Sequence, residues 1–146
     1  MTYIDPKRKK LWKTQIFRDS NINNYLLVSK YLYDKGYQVI RMGSIVKNKI
    51  DSKNNFIFDY ANSEFRTDFM DVFLGYICNF CITNSTGWDS IPVVFKKLMV
   101  FVNHVPLLNL HTYSKKYIHI FKHHYDLNTG KFLNIKNIVL NFKRLN

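Results

Sequence analysis

Residues 80–104 run FCITNSTGWDSIPVVFKKLMVFVNH, and the order of residue types in that stretch sets the fold class. Phe80-Cys81-Ile82-Thr83 is short, apolar and flanked by turn formers, so it reads as a buried strand. Asn84-Ser85-Thr86-Gly87 breaks it with small polar residues. Asp89 or Ser90 then caps a short helix with Pro92 in its first turn, where a missing N–H is harmless. Leu98-Met99-Val100-Phe101-Val102 is another wholly apolar strand, ending at Asn103-His104. Strand, helix and strand in quick succession, with strands apolar on both sides, predict a parallel sheet with helices on both faces. That is a Rossmann-like α/β domain. An antiparallel α+β domain would show half-polar alternation instead.

Upstream, Asp19, Ser20 or Asn21 caps a helix reaching about Lys35, with Ile22, Tyr25, Leu26, Ser29 and Leu32 on one face. Gly36 is its left-handed stop. Tyr37–Ile40 and Phe56–Phe58 read as two further strands of the same sheet, closed by Arg41-Met42-Gly43 and Asp59-Tyr60. Ser44 to Asn55 between them is polar and irregular. A second helix starts near Thr67, and Phe69, Val72, Phe73, Tyr76 and Ile77 recur at helical spacing as its apolar face. Downstream, Tyr117–Phe121 reads as an edge strand, Asp126–Gly130 as a turn, and Asn134 as the cap of a last short helix. The expected organisation is an irregular segment over 1–20 followed by one incomplete domain over 21–146, without internal repeats.

With 47% hydrophobic and 16% aromatic residues, the chain is too apolar to be disordered. No apolar run approaches the ~20 residues that cross a bilayer. The start, MTYIDPKRKK, lacks the apolar stretch of a secretory signal. The expected location is therefore the cytoplasm, with the periphery of the inner membrane as an option. A net charge of +12 favours anionic partners. Its lysines are scattered apart from the run at Lys7–Lys10 and the Lys115-Lys116 pair, and no basic stripe follows a helix face. Nucleic acid is accordingly not the expected partner. Cys78 and Cys81 form a C-x-x-C where a helix ends and a strand begins, with no second pair, and read as core thiols.

The polar tags Arg41-Met42-Gly43, Asp59-Tyr60-Ala61-Asn62, Asn84-Ser85-Thr86-Gly87 and Asn103-His104 share one property: each follows a strand. In an open parallel sheet the carboxyl ends of the strands point to one edge, and ligands bind in the crevice outside it. The 84–90 segment suits a diphosphate. A helix start offers free N–H groups, Gly87 lets backbone approach, and Ser85 and Thr86 add hydroxyls. It is equally readable as an ordinary capped turn. Arg41 fits a phosphate or carboxylate, or else pairs with Asp59 or Asp71; Asp59 is also placed to orient a loop. Neither a metal nor a cofactor is expected. The five histidines show no ligand spacing, and His123-His124 reads as surface. No Ser–His–Asp spacing, P-loop or G-x-G-x-x-G is present.

The runs YLLVSKYLYDKGYQVIRMG (25–43), FDYANSEFRTDFMD (58–71) and TNSTGWDSIPVVFKKLMVFVNHVP (83–106) resemble a bacterial family of glycosyltransferases of surface-polysaccharide gene clusters. The resemblance spans about residues 11–140 and is most specific at Arg41-Met42-Gly43 and at Gly87-x-Asp89-x-x-Pro92-x-x-Phe95. The latter is also similar to the phosphate-binding turn of heptosyltransferase-type GT-B enzymes, which carry the nucleotide sugar in a C-terminal Rossmann-like half. It implies a domain binding a nucleotide-diphosphate sugar through Arg41, Gly43, Asp59, Tyr60, Asn84, Ser85, Thr86, Gly87, Asp89 and Asn103. The acceptor, a cell-surface glycan or lipid-linked molecule, would sit on a separate N-terminal domain that also supplies the catalytic base. No catalytic residue is assigned here. Family members carry a strand with an Arg-Asp pair upstream and closing helices downstream, so this chain is expected to be the central part of such a half. An uncovered apolar edge and self-association would follow. The competing expectations are a non-catalytic nucleotide- or protein-binding module of the same fold and, further off, a basic nucleic-acid binder.

Overall fold

A computed structural model of the chain describes residues 20–142 apart from 45, 47, 52, 106, 108 and 109. The irregular segment expected over 1–20 lies, except for Ser20, outside the described residues.

The apolar runs of the deciding stretch form β1 (Phe80–Thr83) and β2 (Leu98–His104). They pair in parallel, Phe80 opposite Leu98 and Thr83 opposite Phe101. A 3-10 turn at Gly87–Asp89 and a first-turn-proline helix, Ser90–Val94, make the crossover. β3 (Tyr117–Phe121) pairs in parallel with the other side of β2, starting at Met99 opposite Tyr117. Tyr117–Phe121 is thus an outer strand, as its sequence predicts, and the sheet order is β1-β2-β3. The result is a mixed α/β fold around a three-stranded parallel sheet. Met99 and Phe101 of β2 are fully buried and form the centre of the core.

Two expected strands are reduced to a single parallel bridge, Ile40 with Phe58. It is flanked by Phe58 N–H donating to Val39 O at 2.8 Å and Arg41 N–H donating to Phe58 O at 2.9 Å. The pairing direction is the expected one, but turns invade both sides. Ile57 N–H closes on Asn54 O before the bridge, and Tyr60 N–H closes on Phe58 O after it. The turn at Asn54 thereby reaches into the apolar residues, and Ile40 and Phe58 keep 37% and 48% of their surface exposed. Tyr37 packs edge-to-face on Phe80 of β1.

The first helix enters by a 3-10 turn at Ile22–Tyr25, capped by the Asn21 side chain, and continues as α1, Leu26–Asp34. Its buried Ser29 and half-buried Ile22, Tyr25, Leu26 and Leu32 are the predicted face, and Gly36 stops it at φ +87°. α2 (Asp68–Ile77) starts where expected, with Thr67 Oγ1 accepting from Met70 N–H. Its orientation is a correction. The predicted apolar stripe faces outward, with Phe69 73% and Tyr76 56% exposed. The inward side carries buried Gly75, and a Cβ there would meet Ile91 Cγ2 at 2.6 Å. Close approach to the Ser90–Val94 helix, here α3, therefore selects the glycine side over the larger aromatic stripe.

On β3, Ile118 and Ile120 alternate with half-buried neighbours and are themselves about half exposed, so helices do not cover that face of the strand. β4 (His124–Asp126) and β5 (Lys131–Leu133) form an antiparallel hairpin around the predicted turn, with Gly130 at φ +66°. α4 (Ile135–Phe142) follows, its start capped by Asn134 Oδ1 accepting from Asn137 N–H. Among the described residues no helix is long and apolar enough to cross a membrane.

Candidate functional site

A cavity of about 510 Å³ opens at the carboxyl ends of β1 and β2. Ser85, Thr86, Asp89, Ser90 and Val93 come from the β1–α3 turn and helix, His104 and Val105 from the end of β2, and Leu110, His111 and Tyr113 from the segment leading to β3. This is the edge where open parallel sheets place their ligands. Thr83, the last residue of β1, donates through Oγ1 to Asp89 Oδ2 at 2.9 Å, and both residues are buried. That bond ties the turn back onto the strand. Asp89 was also expected as the cap of α3, but its side chain makes no capping bond there. Ser90 Oγ instead donates to Gly87 O at 2.6 Å and closes the turn from outside.

Two backbone irregularities aim the cavity walls. Ser85 holds φ +64° two residues past the end of β1, and Asn103 holds φ +52° inside a bulge of β2 between Phe101 and His104. Both values lie in the left-handed region that side-chain-bearing residues avoid. The bulge turns His104 inward to 1% exposure, and Ser85 Oγ lies 3.1 Å from His104 Nδ1. Asn84 Nδ2 donates to Ser20 Oγ, fastening the turn to the entry of the first helix. Gly87 faces open space, and a Cβ there would touch nothing within 4 Å.

The remaining predicted site residues do not line the cavity. Arg41 Nη1 reaches both oxygens of Asp59 at 3.3 Å and donates to Asn48 O at 2.6 Å. Asp59 also accepts from Ile50 N–H and from Asn62 Nδ2, so it ties those two residues to the Arg41 pair. Of the two readings of Arg41, the ion pair with Asp59 is realised; Asp71 pairs with Arg66 instead. Tyr60 is 1% exposed, its hydroxyl bonded to the backbone of Thr67, and burial pushes that hydroxyl's pKa up. Gly43, at φ +149°, is packed so closely that a Cβ would meet Val46 Cγ1 at 2.9 Å.

Sequence reasoning did not single out His111, Tyr113 or Leu110, the far wall of the cavity. His104, His111 and His119 surround Phe101, with His111 edge-on and His119 stacked at 4.8 Å each. The period-2 pattern Tyr117, His119, Phe121, set in register with Phe101 and His104, was the available signal. No group of three or more His, Cys, Asp and Glu side chains among the described residues is arranged to hold a metal ion. Cys78 and Cys81 are free, half-buried thiols, and burial pushes Cys81 up to about 12. Within the cavity wall the hydroxyls of Ser85, Thr86, Ser90 and Tyr113 and the imidazoles of His104 and His111 accompany the Asp89 carboxylate. Comparison with protein families, with curated proteins and with solved structures found no match to this chain.

Proposed function

We propose that the cavity holds the diphosphate of a nucleotide-diphosphate sugar, and that the chain is the donor-binding part of a glycosyltransferase with a Rossmann-like, GT-B-type C-terminal half. The observation that carries this reading is the convergence of Ser85, Thr86 and Ser90 with His104 at the carboxyl ends of two parallel strands. A volume of about 510 Å³ falls within the ~300–1,000 Å³ of small-molecule sites. In this reading the hydroxyls and ring N–H groups donate to phosphate oxygens, and the outward Gly87 leaves the approach open. Arg41 does not contribute, because Asp59 holds it. The acceptor, a glycan or lipid-linked molecule, is bound by a partner domain, and the chain works in the cytoplasm or at the inner-membrane surface.

Calorimetric titration with UDP, GDP and ADP tests the reading. One site with a shallow salt dependence is expected. A steep fall of affinity with salt on oligonucleotides, without nucleotide binding, would point to a nucleic-acid binder instead. No heat with any of the three nucleotides at millimolar concentration would contradict the proposal.

A further inference from the structure

Ser85 and His104 meet with a geometry that holding a phosphate does not require. Ser85 sits on a strand-to-helix turn at φ +64°, and His104 ends the neighbouring parallel strand just past Asn103 at φ +52°. Both irregularities flank one contact, Ser85 Oγ to His104 Nδ1 at 3.1 Å. The imidazole is 1% exposed, with Phe101 edge-on at 5.8 Å and His119 edge-on at 4.8 Å, so packing fixes its orientation. Backbone held in a sparsely populated conformation is a pointer to function when it is observed first and interpreted second. A serine on a sharp strand-to-helix turn, hydrogen-bonded to a fixed imidazole at a cavity wall, is the arrangement of an activated nucleophile. Val93, Val105 and Leu110 supply an apolar wall beside the pair.

We propose that Ser85 and His104 form a nucleophile–base pair that takes an acyl group from a carboxylic ester and passes it to water. His104 Nδ1 accepts the Ser85 proton as Oγ bonds to the carbonyl carbon. The ester C–O bond then breaks, and the leaving alkoxide takes that proton, giving an acyl-serine and an alcohol. Water next gives a proton to His104 and its oxygen attacks the acyl carbon. The carboxylic acid departs, and Ser85 Oγ recovers the proton. No nucleotide takes part, so this activity and the donor-binding reading stand or fall separately.

The full chain is incubated with a fluorophosphonate probe and, separately, with p-nitrophenyl butyrate. The expected result is one covalent adduct on the peptide carrying Ser85, with p-nitrophenolate released above the buffer rate. Ser85→Ala should abolish the adduct, and His104→Gln should slow it by about 100-fold or more. A folded wild-type chain that stays unlabelled at Ser85 overturns the proposal, whatever the variants do. So does equal labelling of a folded His104→Gln chain. Loss of nucleotide binding with labelling intact would count against the donor-binding reading alone.

Discussion

Between residues 41 and 62 the polar residues that follow short extended runs turn on one another, whereas between 84 and 105 they turn onto a cavity. In the first region Arg41, Asp59, Asn62 and the backbone at 48–50 close a local network around one carboxylate. In the second, paired strands hold Ser85 and His104 apart in sequence and together in space. The difference follows from pairing length. A single bridge cannot present a rigid edge, so its flanking polar groups satisfy each other; a true parallel pair can hold two turns at a fixed spacing and leave their side chains for a ligand.

The most disruptive way to test this contrast is to remove the support of the second region. Phe101→Ala empties the fully buried centre of β2, and a loss of about 3–5 kcal/mol is expected by denaturant unfolding. If the cavity owed nothing to β2, ligand binding would survive this variant at temperatures where it stays folded. A smaller effect is expected from Arg41→Ala, which leaves the largely shielded Asp59 carboxylate without its cation. About 1–3 kcal/mol of stability should go while nucleotide affinity stays within error. Weaker affinity for UDP with unchanged stability would reverse the roles assigned to the two regions. Thr86→Val should do the opposite of Arg41→Ala: stability nearly unchanged, and UDP affinity reduced by about 0.5–1.5 kcal/mol.

A last effect, silent at neutral pH, concerns the thiol at the root of β1. Cys81 is held near pKa 12, above its ordinary 9.0. The unfolded chain therefore loses that proton first as pH rises. The thiol's own contribution to stability should be constant below about pH 9 and fall progressively between 9 and 12. Cys81→Ala should flatten part of that fall in an unfolding-versus-pH series; an identical slope would mean the thiol is not buried as described.

Much of the fold is legible in the sequence where its signals are local. Apolar runs give β1 and β2, Asn84–Gly87 gives the break, and Thr67, Asn134 and the 126–130 turn announce themselves by side-chain chemistry. What escapes is set at long range. The outward face of α2 depends on Gly75 meeting Ile91, which no periodicity in 68–77 encodes. Phe69, Phe73 and Tyr76 consequently remain on the surface. Phe56–Phe58 looks like a strand until the preceding turn is seen to consume it. The far wall of Leu110, His111 and Tyr113 exists only because β3 lies beside β2.

The most direct measurement is an amide chemical-shift map of the 15N-labelled chain titrated with UDP. The account predicts shifts concentrated at residues 84–90 and 103–105, with 41–43 and 59–62 unmoved. Shifts clustered at Arg41, Gly43, Asp59 and Tyr60, with Ser85 and Thr86 silent, would contradict it.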